Sequence, residues 1–185
     1  MVLWPRKFAN EGAAVGRILT GYINLELSLM HCVQNGCGDF DTVLKKMFKR
    51  RGEKARLEEA EKLGAPAYKK LKLETQFRKA IRDLRHCLKI RNQYAHWIWW
   101  DDNTGKLAFA NLEDLAERKR RVTNLDKLKA YHLDPQILAE QESYFVYVDQ
   151  LLGWINFEGR VRSKPLKQTN PISKPKPPRR PKLRL

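Results

Sequence analysis

Residues 66–97, PAYKKLKLETQFRKAIRDLRHCLKIRNQYAHW, decide the fold class. Tyr68, Leu73, Phe77, Ala80, Leu84, Leu88 and Ala95 recur at helical spacing, and neither glycine nor proline follows Pro66 within the stretch. Proline favours the first helical position, so the segment reads as one long amphipathic helix opened by Pro66 and ending near Trp97. Upstream, a first helix is predicted from Asn10 as cap to Gln34, with Asn35-Gly36 as a left-handed stop. Two shorter helices should follow, one from Asp39 or Asp41 to Gly52 and one over about 53–63, ended by Gly64.

Downstream the pattern changes. Residues 97–110, WIWWDDNTGKLAFA, place bulky aromatics before an Asp-Asn-Thr-Gly turn and short apolar residues after it, which reads as a small β-hairpin. The polar stretch 111–130 has room for a short helix at Leu112–Glu117. Asp134-Pro135 supplies a cap and a first-turn proline for a last helix reaching about Phe157. That helix should bury Ile137, Leu138, Tyr144, Phe145, Val148, Leu151, Leu152 and Ile155. The fold class expected is all-α, a bundle of four to five helices with a hairpin insertion, as one domain over residues 1–159.

Residues 160–185 are different in kind. They hold ten Lys or Arg, six of the nine prolines and no acid, so the net charge of +16 falls to +6 over residues 1–159. The composition reads as a disordered basic tail that attracts nucleic acid or anionic surfaces by charge alone. A solubilising tail without a partner fits the same composition.

Other classes find little support. No run is long enough to span a bilayer, and the N-terminus MVLWPRKFANEG lacks the apolar stretch of a secretory signal, so a cytoplasmic location is expected. Cys32, Cys37 and Cys87 form no Cys-x-x-Cys pair, and the four histidines offer only the adjacent pair His31 and Cys32 as shared ligand spacing. Neither a disulfide framework nor a structural metal is expected, and no cofactor is implied. Glycine-rich phosphate loops, a Ser-His-Asp arrangement, paired catalytic carboxylates, helix-turn-helix and zinc-finger patterns are missing from the sequence.

Two charged residues stand out of place. Projected at about 100° per residue, the first helix puts Val15, Ile18, Leu19, Tyr22, Ile23, Leu29, Met30 and Val33 on one face with Glu26 near its centre. Arg91 sits near the middle of the long helix's stripe. A buried carboxylate is costly unless paired, so Glu26 and Arg91 are expected to meet inside the bundle. That pair either fixes helix register or orients Arg91 beside a site. His96, five residues on, lies about 140° around the helix from Arg91, on a flank shared with Asn92 and Arg85.

Arg91, Asn92, Gln93, Tyr94, Ala95 and His96 resemble the Arg-x(4–6)-His motif of HEPN domains, where RN-x-x-AH is a frequent form late in a long helix of a four- to five-helix bundle. The resemblance covers about residues 10–158 at the level of architecture. It implies an RNA-binding protein of the metal-independent endoribonuclease kind, often a toxin or phage-defence protein, acting as a homodimer and partnered in some systems by an antitoxin protein. The implied catalytic residues are Arg91, Asn92 and His96. His96 would move a proton at the ribose 2′-hydroxyl or the leaving oxygen, Arg91 would hold the scissile phosphate, and Asn92 would bond the phosphate or position His96. Glu26 and Tyr94 would support them, and Arg85, Lys89, Arg179 and Arg180 would contact RNA. Trp97, Trp99 and Trp100 either stack on bases or pack the hairpin onto the bundle. The competing reading is a non-catalytic helical interaction protein in which Glu26, Arg91 and His96 form a structural polar cluster. A DNA- or membrane-associated protein using the tail is a third.

Overall fold

The computed structural model describes residues 7–118, 128–163 and 170–183. Its elements are α1 (Ala9–Cys37), α2 (Phe40–Phe48), α3 (Glu53–Lys70), α4 (Glu74–His96), β1 (Ile98–Asp101), β2 (Leu107–Ala110), α5 (Leu112–Arg118), β3 (Tyr131–His132) and α6 (Pro135–Ser163). The mainly helical architecture with a hairpin insert is as expected, and no described helix is long and apolar enough to cross a membrane.

Local chemistry explains several boundaries. The Asp134 carboxylate accepts from the Gln136 N–H at 2.8 Å, capping α6 just before Pro135. Asp39 caps α2 in the same way through Asp41 N–H. Asn103 and Gly105 adopt positive φ in the turn between β1 and β2, which pair antiparallel with Trp99 opposite Phe109. The two-residue β3 joins β2 on its other edge, so the sheet has three strands rather than a lone hairpin. The His132 imidazole lies 2.7 Å from the Asp102 carboxylate, tying β3 to the hairpin turn. Trp97 and Trp99 both pack on Phe109, with ring centroids 4.8 and 5.0 Å apart. Hairpin packing is therefore what these two rings do.

Other boundaries depart from expectation for tertiary reasons. α1 passes through Asn35-Gly36 and ends only at Gly38, at φ 79°. Gly36 serves close packing instead, since a Cβ there would lie 2.9 Å from Ala67 Cβ. Gly64 likewise sits inside α3, where a Cβ would come within 2.5 Å of the Phe77 ring. The expected helix from Pro66 to Trp97 is two helices: Pro66 lies within α3, and the chain breaks at Lys72, φ 57°. The break has a geometric cause. Tyr68 and Phe77 are nine residues apart, so one continuous helix would place them about 180° from each other. Both are fully buried and their rings stack at 4.6 Å, which requires the reorientation at Leu71–Leu73. The Arg162 guanidinium donates to the Leu71 carbonyl at 3.0 Å, satisfying a carbonyl at the end of α3.

The core forms where α1 lies parallel to α6 and α4 runs antiparallel to it. Ser28–Asp149 and Asn35–Asn156 contacts mark the first pairing; Lys79–Tyr147 and Tyr94–Gln141 mark the second. Leu29, Val33, Phe77, Ala80, Leu84, Val148, Leu151 and Ile155 are fully buried within it. Ile23, assigned to the core face, is 63% exposed, and Ala95 is also exposed; Leu25 and Tyr94 are buried. α6 reaches Ser163, past the expected end.

The segment read as disordered is also different where it is described. Residues 170–183 form neither helix nor strand, with Pro181 buried and Leu183 against the core. Arg180 meets the buried Asp83 carboxylate at 3.1 Å, His86 Nε2 lies 3.0 Å from the Pro181 carbonyl, and Gln141 Nε2 donates to the Lys182 carbonyl at 2.8 Å. A proline-rich chain without internal hydrogen bonds has its carbonyls free for such partners.

Candidate functional site around the end of helix α4

The motif occupies the last turns of α4, between the α3 hairpin partner on one side and the sheet on the other. Arg91 is half-buried and Nη1 donates to Asn92 Oδ1 at 3.0 Å, while the same nitrogen lies 3.5 Å from Glu53 Oε1. Both contacts use one nitrogen, so Nε and Nη2 stay available to another acceptor among the described residues. His96 is exposed at the final helical position. Within the chain it bonds to neither Arg91 nor Asn92 among the described residues. The angular separation expected from the helix is thus present.

Glu26 is buried, as its place in the stripe requires, but its partner is not Arg91. Arg56 Nη1 of α3 donates to Glu26 Oε2 at 2.8 Å. The reason is reach. α3 lies against α1 at this level, and Arg56 approaches from it over the Phe48 ring, 5.4 Å from the centroid. Arg91 is satisfied by Glu53, one turn before Arg56. The result is a four-charge cluster, Glu26–Arg56 inside and Glu53–Arg91 toward the rim. Glu26 Oε1 and the Tyr22 hydroxyl beside it have no hydrogen-bond partner among the described residues. Burial pushes the Glu26 carboxyl above the ordinary range, against the pull of Arg56 and, more weakly, Arg91. Burial and the neighbouring Glu26 and Glu53 charges also push the Tyr22 phenol up.

Tyr94 faces the opposite side from this cluster. It is buried and donates to Gln141 Oε1 of α6 at 2.5 Å, with its ring stacked 5.8 Å from Trp99. It holds the motif turn in place from behind and reaches no open surface. Of the expected RNA contacts, Lys89 and Arg179 are exposed and form no ion pair among the described residues. Arg85 is drawn to Glu61 at 2.7 Å, and Arg180 to Asp83.

Glu53, Arg56 and Asp83 are the charged residues sequence reasoning missed. Glu53 and Arg56 share one turn of a helix whose start the sequence predicts, and two acid–base pairs among three helices can be matched in more than one way. Asp83 had a visible signal, an acid among the buried residues Ala80, Ile81, Leu84 and Cys87.

No group of three or more His, Cys, Asp or Glu side chains is arranged to hold a metal ion among the described residues. A groove of about 540 Å³ lies between α1 and α6, lined by Arg17, Gly21, Asn24, Glu142, Phe145 and Asp149 among others. It includes none of Arg91, Asn92 and His96, and its Arg17 and Glu142 are paired with each other at 2.7 Å. What the end of α4 can supply is an anchored guanidinium, an amide and an exposed imidazole. Compared with known proteins, the chain matches no family model, no curated protein and no solved structure.

Proposed function

We propose that this chain is a HEPN-like RNA-binding protein that cuts RNA without a metal, acting as a homodimer. The observation that carries the reading is the end of α4: Arg91 held by Glu53 with donors to spare, Asn92 bonded to it, and His96 exposed one turn on. A guanidinium is permanently charged and matches a phosphate's geometry, and an imidazole exchanges protons near neutral pH. In the reaction the ribose 2′-oxygen attacks the adjacent phosphorus and the bond to the 5′-oxygen breaks. A proton leaves the 2′-hydroxyl and one is delivered to the leaving oxygen. The products are a 2′,3′-cyclic phosphate and a 5′-hydroxyl. His96 moves one of these protons, and Arg91 stabilises charge on the phosphoryl oxygens. A second subunit brings its own α4 end opposite, so that the Arg91 of one protomer and the His96 of the other complete a site. A cytoplasmic toxin or phage-defence role, with a neutralising antitoxin protein, follows from this reading.

The test incubates wild type and His96→Ala with RNA in EDTA and follows cells expressing each. Wild type should release 2′,3′-cyclic phosphate ends and arrest growth, and His96→Ala should do neither. A folded wild type that cuts no RNA and arrests nothing sinks the proposal. One observation favours the non-catalytic alternative: the Glu26–Arg56 pair is buried and Arg91 closes it at the rim. On that reading Arg91→Ala unfolds the protein while His96→Ala is silent.

A further inference from the structure

Seen along its axis, α4 carries Arg78, Arg82, Arg85, Lys89, Asn92 and His96 at intervals of four and three residues, within an arc of about 80°. All six are exposed or half-exposed. Arg78 and Arg85 are neutralised by Glu74 and Glu61, whereas Arg82 and Lys89 have no ion pair among the described residues. This stripe ends at the motif.

Beside it runs the docked segment 174–182. Lys174 lies over the Trp154 ring of α6, Arg180 reaches Asp83 of α4, and the Lys182 carbonyl meets Gln141 of α6. These anchors set its course. From Lys174 to Lys182 an extended proline-rich chain covers about 25 Å, and from Trp154 to Gln141 the helix covers about 20 Å. The segment therefore lies antiparallel to α6 and parallel to α4, in the groove between them, and heads toward the motif end. Lys176, Arg179 and Lys182 form no ion pair among the described residues. Their spacing of three residues puts a charge about every 9 Å. His86 lies one helical turn from both Arg82 and Lys89, and its Nε2 is 3.0 Å from the Pro181 carbonyl, which places the stripe and the segment side by side.

Resting on the RNA reading above, we infer that the exposed face of α4 and the docked segment 174–182 form one basic track that holds the phosphates of single-stranded RNA and leads its strand to Asn92 and His96. Fixed cations spaced along a line suit a phosphate backbone, which supplies charge at regular intervals and binds by counterion release. A membrane surface suits them less. The track has cations without large exposed apolar residues between them, where an interfacial helix would carry an apolar face.

Binding is measured in the full chain carrying His96→Ala, by fluorescence anisotropy of a labelled single-stranded oligouridylate across a salt series. Replacing Arg82, Lys89 and Arg179 together by Gln should lower the salt slope by about 2, from about 0.7 per phosphate contact. A fourfold rise in salt then weakens the parent about 20-fold more than the variant. Arg82→Lys with Lys89→Arg should keep the parent slope. A second variant, Arg180→Gln with Leu183→Arg, conserves charge but removes two anchors of the segment, and should weaken binding at least fivefold. Thermal melts check that each variant folds.

Unchanged affinity in both variants overturns the track, as does tighter binding to phosphatidylserine vesicles than to RNA. Cleavage by the otherwise wild-type chain is assayed in parallel. If that chain cuts nothing while the track binds, the ribonuclease reading fails and the track stands. If the Gln triple variant binds as before, and with His96 restored cuts as before, the track fails and the ribonuclease reading stands.

Discussion

Removing Arg56 should strand the Glu26 carboxylate, and the cost can be worked from the geometry. Glu26 is 6% exposed at its side chain and Arg56 26%, with 2.8 Å between them. Breaking a buried pair by deleting one partner costs about 3–5 kcal/mol, and the partial exposure of Arg56 puts this case at the lower end, about 3 kcal/mol. Oε1 of Glu26 lacks a hydrogen-bond partner among the described residues even with Arg56 in place. For a chain of this size such a loss lowers Tm by about 6–12 °C. The assay is urea unfolding of wild type, Arg56→Met, Glu26→Gln and the double variant at pH 7.5 and pH 5. The double variant should recover most of the loss, because a neutral amide beside an apolar stem leaves no charge to desolvate. The pH dependence has a definite sign. The folded-state pKa of Glu26 lies above its unfolded value, so the folded protein holds the extra proton. Its contribution to stability is present below the unfolded pKa and is lost as pH rises through the raised folded value. Without Arg56 that value climbs further, so Arg56→Met should be less destabilised at pH 5 than at pH 7.5. If Arg56→Met costs no more than a substitution in the exposed Lys45–Asp41 pair, under about 0.5 kcal/mol, the reasoning is wrong.

Two further outcomes follow from packing. Gly64→Ala gains about 1 kcal/mol of helix propensity but drives a methyl to within 2.5 Å of a ring that is itself stacked on Tyr68, so overpacking of about 1–3 kcal/mol should leave the variant less stable by urea unfolding. Native protein should react with a thiol reagent at Cys37 alone: Cys32 and Cys87 are fully buried, and burial pushes the Cys32 thiol up to about 12. Mass mapping that found Cys32 or Cys87 labelled before unfolding would contradict the core described.

What was legible in the sequence was chemistry confined to a few neighbouring residues. Asp134-Pro135 announces α6 because the cap and its N–H are two residues apart, and the Asp-Asn-Thr-Gly turn closes β1 onto β2 by the same kind of local bond. Glycine was ambiguous, since Gly36 and Gly64 are small for the sake of Ala67 and Phe77, which lie on other turns or other helices. The break at Lys72 carries no glycine or proline signal and follows from burying Tyr68 and Phe77 together. Glu26 was recognisable as a buried acid from its stripe alone, yet choosing between Arg56 and Arg91 needed the placement of α3. The motif positions Arg91, Asn92 and His96 were visible, while Glu53 looked like any acid in a first helical turn. β3, two residues long, has no alternation to detect, and its pairing depends on the edge that β2 presents.

Asp83 has two cationic partners, Lys79 at four residues' distance on its own helix and Arg180 ninety-seven residues later. They become available at different moments of synthesis. Lys79 can serve the carboxylate as soon as α4 winds, while segment 174–182 leaves the ribosome after every helix it touches. The bundle can therefore close around an acid that is never bare, and the later-made segment arrives as a second clasp. Chains interrupted before that segment should still assemble α4 against α6.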